Sequence, residues 1–406
     1  MKTYSSSNKQ TRTKTKTRTK TRTKTKTRTK TRTKQNNAKG QSHSLPSLTP
    51  INILKLKPAI NNTMLTVNTS YRPTINRKLV TLKTMTRTDL TECNTKKAFQ
   101  LKEDLQIKVD GKCFPYQSLI AQSELLYRLK MNLHINAKKM VTPVQSKSNC
   151  WFNTMFVAFF MSDKGRKFFH FFRQLMIEGK QSDGNQIPAN LWASFSLLNF
   201  AIESCLSGTK YAYVLDTNNI ISHIFKSIPE SYKNQNTYLV DVDYANNPIY
   251  YYNSLMNYLN ANILTSYIIS LSDNNWKTHL EKVVNANFIP HYIVMEIFDG
   301  GSQTAGLSGI IRNKEISFQI GEYEYSLDSC IIRDFEQEHF TAVLTCEGKE
   351  MAYDGASFHR VVPMKWKSQI NTDYKWNFKG TEHENGTPYY WSFTHGYQML
   401  FYYRTK

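Results

Sequence analysis

The sequence predicts an α+β fold, with helices filling the first half of the ordered chain and short strands the second. Apolar residues recur at helical spacing up to about residue 264. After about residue 285 the chain turns to short β-branched and aromatic stretches separated by Gly or Asp/Asn turns. Across 406 residues, 40% hydrophobic and 13% aromatic content supplies enough apolar surface for a packed body.

The first element is an arm. Residues 11–34 are twelve consecutive Thr-Lys or Thr-Arg dipeptides, with TRTKTKTRTK appearing twice. Like charges at every second position repel, and alternating Thr disfavours a helix, so the tract is expected to be extended and disordered. Residues 41–88 stay rich in Thr, Asn, Ser and Pro and read as linker. We therefore expect a disordered basic arm over 1–88 and a folded body over 89–406, mainly helical to about 285 and mainly β from about 286.

Within the body, Gln117–Met131 carries Leu119, Leu125, Leu126 and Leu129 at helical spacing. Cys150–Met161 is almost wholly apolar and of helical length, so it reads as a buried helix. Helices are also predicted at Gly165–Glu178, Ala189–Leu206 and Asn247–Leu264, the last opened by Pro248. Strands follow at Tyr292–Phe298, Glu315–Ile320, Glu322–Ile332, His339–Cys346 and Lys349–Asp354, with Gly396–Tyr403 as the terminal one.

Charge separates arm from body. The net +22 resembles a nucleic-acid binder until it is located. Residues 1–88 hold 22 Lys and Arg and no acid, whereas residues 89–406 hold 31 basic and 31 acidic residues. The body needs no polyanion to explain its charge, and only the arm offers a surface for nucleic acid or an anionic membrane. The arm also has the composition of an address signal, although its period of two gives no amphipathic helix. No apolar run reaches the roughly 18 residues of a membrane span, and no secretory signal is evident. Cys93, Cys113, Cys150, Cys205, Cys330 and Cys346 are scattered without a CxxC pair. That spacing predicts free thiols, a reducing intracellular compartment (cytoplasm or nucleus), and neither a bound metal nor another cofactor.

One cysteine stands apart. A thiol attacks as thiolate, and a helix N-terminus favours the anion through its unpaired N–H groups. Cys150 lies where the polar QSKSN gives way to the apolar WFNTMFVAFF, which places it in the first turn of a buried helix. A lone Cys there is by default a small buried hydrophobe, so the assignment depends on partners. A nucleophilic Cys needs an imidazole in reach, and the imidazole needs a carboxylate or amide behind it. His339 opens EQEHFTAVLTC, a strand whose alternation puts His339, Thr341, Val343 and Thr345 on one face and Cys346 on the other. Taken alone it would be an ordinary edge-strand histidine. A turn at Glu347–Gly348 returns the chain through Lys349–Asp354, which brings Asp354 to the neighbouring strand.

These segments resemble ubiquitin-specific proteases. Gln145–Phe160 (QSKSNCWFNTMFVAFF) is similar to that family's cysteine box, with Gln145 five residues before the Cys, Asn149 just before it and Asn153 three after. His339–Ser357 (HFTAVLTCEGKEMAYDGAS) is similar to its histidine box. Tyr325–Ile332 and Gly396–Arg404 resemble the strand before the family His and the closing strand, and all four segments lie in the family's order. The resemblance implies a papain-like fold, with Cys150 on a helical lobe and His339 and Asp354 on an antiparallel β lobe. It also implies Gln145 as oxyanion donor beside the Cys150 N–H, a ubiquitin or ubiquitin-like substrate, and hydrolysis of an amide or isopeptide bond. Polyprotein processing by the same chemistry is a rival, as is a polyanion-binding protein with a degenerate protease body. The Asn-, Lys- and Tyr-rich composition and the repetitive arm look like divergent proteases of large DNA viruses, for which a virion location would follow.

The chain departs from the family in three places. It lacks the two Cys-x-x-Cys pairs of a zinc-bearing finger, Gly355 stands where the family has a second Asp, and Glu338 where a Gly is usual. Simpler accounts suffice for three other features. Asp299–Gly301 reads as a tight turn, His359 as a solvated or structural residue, and the tyrosines of Tyr250–Tyr258 as core packing. Trp366 and Trp376 flank a polar loop without a role the sequence assigns.

Overall fold

A computed structural model describes residues 93–131, 135, 137, 139–213, 215–244, 246–259, 266–270, 275–298, 313–334, 339–357, 360–383 and 385–406. The arm, Asp299–Gly301, Glu338 and His359 lie outside the described residues. The architecture is α+β. Helices α1 (Thr95–Phe99), α2 (Leu119–Met131), α3 (Cys150–Phe160), α4 (Asp163–Phe168), α5 (His170–Glu178) and α6 (Ala189–Ser207) come first. They are followed by α7 (Thr217–Ser227), α8 (Glu230–Gln235), α9 (Pro248–Tyr258) and α10 (Trp276–Asn285). A small hairpin, β1 (Gln106–Val109) and β2 (Lys112–Pro115), sits among them.

The main sheet joins β3 (Ser266–Ser270), β4 (Tyr292–Phe298), β5 (Ser317–Ile320), β6 (Tyr323–Asp334), β7 (His339–Cys346), β8 (Lys349–Tyr353), β9 (Val361–Pro363) and β12 (Tyr397–Arg404). Its order is β3-β4-β12-β6-β7-β8-β9, with β5 also paired to β6. A separate ladder pairs β10 (Lys375–Trp376) with β11 (Trp391–Ser392). The sheet differs from a purely antiparallel one because β3, from the mainly helical half, adds to β4 in parallel. The chain reverses between them through α10, which is long enough to serve as the crossover a parallel pair requires. Strand β7 also lies between β6 and β8, but the β8 ladder begins only at Ala342, so His339 pairs with β6 alone, opposite Asp334.

The apolar run from Cys150 forms α3 because every one of its side chains is buried and none is charged. The helix lies against β7 and α9. Phe159 stacks on Phe169 at 3.9 Å and meets the ring of Phe401 in β12 edge-on at 5.7 Å. Truncating a ring so enclosed typically costs about 3–5 kcal/mol. The stretch predicted as one helix, Gly165–Glu178, is two. Ser162 caps α4 by accepting from Gly165 N at 3.1 Å, and the chain bends at Phe169 before α5 begins. The α4 start is further held by Asp328 of β6, whose Oδ2 accepts from Lys164 N at 3.0 Å and Gly165 N at 3.3 Å.

Both sheet faces are covered. Phe340, Ala342, Leu344 and Cys346 face the helical core, while Val343 packs with Cys330, Ala352 and Trp366 on the other side. Trp366 and Trp376 therefore belong to the second core, and Tyr251 and Tyr252 to the first. The turn after β7 forms at Glu347–Gly348, both with positive φ (48° and 67°), the twist that a two-residue hairpin prefers. Asp163 accepts from both turn amides, at 2.6 Å and 3.0 Å, and Arg166 bridges Asp163 and Glu347. Hairpin and α4 are thus tied together.

The expectation of free thiols throughout does not hold. Cys93 and Cys113 form a disulfide with Cα atoms 5.8 Å apart. The β1–β2 hairpin, turning at Asp110–Gly111, folds Cys113 back beside the start of α1, a proximity that 20 residues of separation conceals. Asn94 fixes the approach by accepting from Gln106 N at 2.8 Å and donating to Asp104 O at 2.6 Å. The inference of a reducing compartment loses its basis at this pair. No helix among the described residues is long and apolar enough to cross a membrane.

Two buried histidines make the fold acid-sensitive. Burial, with the charges of Arg173, Arg166 and Lys167, pushes His170 down to about 3, and burial with Arg404 does the same to His291. The unfolded chain binds protons at these sites near pH 6.5, whereas the folded chain does so only near 3, so stability falls as pH drops below 6.5. Each histidine is expected to remove about 2 kcal/mol between pH 7 and pH 5. Urea unfolding at the two pH values measures this, and His170→Leu should flatten the dependence by about half. An unchanged pH dependence in His170→Leu would show that this imidazole is not held neutral.

Candidate functional site

The site forms where the N-terminus of α3 meets the starts of β7 and the segment after β8. The sequence from Val144 to Asn149 is polar and would be mobile if left to itself, but the first residues of α7 hold it. Asn149 Nδ2 donates to Thr217 Oγ1 at 2.8 Å, and Ser146 Oγ donates to Asp216 Oδ1 at 3.1 Å while accepting from Asn218 Nδ2 at 2.7 Å. Asn153, on the first turn of α3, donates to Val144 O at 3.1 Å. Cys150 is thereby fixed as the first residue of a helix whose axis points back into the core. It is 9% exposed.

His339 reaches the thiol from β7. Its Nε2 lies 2.8 Å from Asp354 Oδ1, and the ring is near enough to Cys150 for the thiol to act on its electrostatics. The register explains the pairing. Tyr353 lies opposite Ala342, so Asp354 follows directly at the end of β8, on the side of His339. Asp354 is fully buried and well supplied with donors. Ala356 N donates to Oδ1 at 2.9 Å and Thr381 Oγ1 to Oδ2 at 3.3 Å. The indole of Trp391 packs against the imidazole with ring centroids 5.5 Å apart.

The electrostatics of His339 are a contest. Burial pushes its pKa down, but hydrogen bonds to Asp354 and Cys150, reinforced by their negative charge, raise it to about 9. Burial pushes the thiols of Cys205, Cys330 and Cys346 up to about 12. They pack inside the two cores and have no imidazole on them.

Gln145 is placed by its backbone, whose N–H donates to Gly355 O at 2.9 Å. This is the residue just after Asp354, so the hydrogen bond links the loop before Cys150 to the carboxylate end of the site. Its side-chain Oε1 is buried with no hydrogen-bond partner. A Cβ at Gly355 would come within 3.1 Å of both Gln145 N and Gln145 Cβ, and within 2.8 Å of Tyr353 Oη. The approach accounts for glycine at this position. Cys150, His339, Asp354 and Gln145 thus converge on one place. The arrangement can deprotonate a thiol, hold the resulting charge pair out of water, and return the proton to a leaving group.

Sequence reasoning did not find Thr217, Thr381 or Trp391. Thr217 opens a helix that was not predicted, and Thr381 sits in a polar stretch without periodicity. Trp391 lies in a two-residue strand, too short for alternation to register.

No protein-family model matches the chain, and no curated protein matches it. Among solved structures it is similar to an essential yeast splicing factor at 8% identity and a TM-score of 0.36, covering 79% of this chain and 90% of that one. It is also similar to the SAGA Ubp8/Sgf11/Sus1/Sgf73 DUB module at 9% identity and a TM-score of 0.34, covering 73% and 78%. Likeness at this level bears on neither activity nor partners.

The close approach at Gly355 is testable through stability. Gly355→Ala is expected to cost about 1–3 kcal/mol in urea unfolding, since the added methyl must displace Tyr353 Oη and the Gln145 backbone. Gly355→Asp should cost more. A neutral alanine variant would mean that the Gln145 loop yields freely.

Proposed function

We propose that the chain is a papain-like cysteine peptidase that cleaves amide or isopeptide bonds. The observation that carries this reading is the hydrogen bond of His339 Nε2 to Asp354 Oδ1, formed beside Cys150 at the start of α3. Cys150 as thiolate attacks the carbonyl carbon, and the tetrahedral oxyanion is held by its own backbone N–H and the Gln145 side-chain amide. The protonated His339 then gives its proton to the leaving amine, which departs and leaves a thioester on Cys150. Neutral His339 takes a proton from water, the hydroxide attacks the thioester, and the carboxylic acid leaves as the Cys150 thiolate and protonated His339 are restored. Asp354 keeps the imidazole oriented throughout, and Thr381 and the Ala356 amide keep Asp354 in place.

For the substrate, the cysteine and histidine boxes of the sequence favour ubiquitin or a ubiquitin-like modifier. In this reading residues 89–406 are the catalytic body. The arm, with 22 basic residues and no acids over residues 1–88, serves as a separate attachment to a polyanion.

A ubiquitin carrying a C-terminal electrophile tests substrate and nucleophile together. Wild type is expected to form a covalent adduct at Cys150, visible as a mass increase, and Cys150→Ala none. Failure with ubiquitin but adduct formation with a generic thiol electrophile at Cys150 would remove the substrate class and leave the chemistry. Labelling of the alanine variant would remove both.

A further inference from the structure

We propose that Thr217 is a positioning residue for Cys150 and Gln145, acting through one buried hydroxyl that fixes both ends of the loop between them. The inference rests on the reading of Cys150 as the nucleophile and adds the element that sets its place. Thr217 is fully buried at the first position of α7, a helix that contributes no group to the triad. Its hydroxyl is used in both directions. It accepts from Asn149 Nδ2 at 2.8 Å and donates to Asn153 Oδ1 at 2.7 Å. Asn149 immediately precedes the thiol, and Asn153 stands one helical turn after it.

Asn153 passes the constraint on. Its amide donates to Val144 O at 3.1 Å, and Val144 immediately precedes Gln145. The chain from Thr217 Oγ1 through Asn153 to Val144 O therefore links the thiol's helix to the oxyanion loop in two hydrogen bonds. The neighbours of Thr217 repeat the hold from outside, with Asp216 and Asn218 both bonded to Ser146 Oγ. Three residues of the loop, Val144, Ser146 and Asn149, are thus tied down, and Gln145 stands between two of them. Asp216 also caps α7 by accepting from Asn218 N at 3.0 Å, so the start of the helix is itself fixed.

The hydroxyl cannot be replaced by packing alone. Valine has the shape of threonine but would leave Asn149 Nδ2 and Asn153 Oδ1 facing a methyl group, inside a site where neither reaches water. Both amides would turn to find partners, and Cys150 and Val144 would move with them. Displacements of about 1 Å at a reacting group cost roughly a hundredfold in rate. A purely structural role predicts something else: lower stability with an unaltered site in the molecules that remain folded.

The test uses the full chain and iodoacetamide, a probe that needs no assumption about the natural substrate. Alkylation of Cys150 at pH 6 is followed by mass spectrometry in wild type, Thr217→Val, Thr217→Ser and His339→Ala, with melting curves to confirm folding. The expected result is a roughly tenfold to hundredfold slower reaction in Thr217→Val and a return close to wild type in Thr217→Ser. Should Thr217→Val not fold, Asn149→Ala, which removes one of the two partners without adding bulk, is expected to slow the reaction in the same direction. A folded Thr217→Val or Asn149→Ala that reacts at the wild-type rate would overturn the proposal, as would a loss in Thr217→Val that serine does not restore. Wild-type alkylation in His339→Ala would instead overturn the reading of Cys150, so the two failures are distinct.

Discussion

The site depends on keeping a positive charge where burial opposes it. His339 is almost wholly removed from water, which by itself would leave the imidazole neutral. Asp354 on one side and the Cys150 thiol on the other reverse that preference and hold the ring protonated to about pH 9. The same partners orient it. A buried ring bonded to Asp354 and packed by Trp391 has little freedom to turn, and the surrounding structure keeps Asp354 and Cys150 beside it.

Three parts of the fold meet that requirement. The β7–β8 hairpin supplies His339 and Asp354 from adjacent strands, with its far end pinned to α4 by Asp163 and Arg166. Helix α3 supplies the thiol, and its position against the sheet is set by aromatic packing of Phe159 with Phe169 and Phe401. The loop before Cys150 is the weak element, and it is held from α7 on one side and by Gly355 on the other. The three do not come from one sequence segment. The site is a product of the sheet order, which places strands from residues 292 to 404 against a helix that begins at residue 150.

Much of this was legible because the relevant signals are local. The alternation in HFTAVLTC marked β7 with both its ends, and the Glu347–Gly348 turn marked the hairpin, so the pairing of His339 with Asp354 could be anticipated. The uncharged run from Cys150 gave α3 for the same reason. What stayed hidden is what long-range contact decides. The Cys93–Cys113 bond requires the β1–β2 hairpin to fold back, and α7 is a helix of Asn, Ser and Ile whose role appears only once Thr217 meets Asn149 and Asn153. Likewise β3 joins the sheet in parallel, which no pattern in Ser266–Ser270 encodes. The bend at Phe169 was hidden because α5 begins there without a side-chain cap, so no capping residue marks the break.

The central claim is that Asp354 and Cys150 together keep His339 protonated, so that it can give a proton to a leaving amine. The pH dependence of amide turnover tests it most directly. The imidazolium is present below its pKa and lost above it, so turnover should fall as pH rises through about 9. Removing the carboxylate in Asp354→Asn takes away part of what raises the pKa, and the descending limb should move to lower pH. A limb that stays in place in Asp354→Asn, or turnover that keeps rising beyond pH 9 in the wild type, would contradict the account.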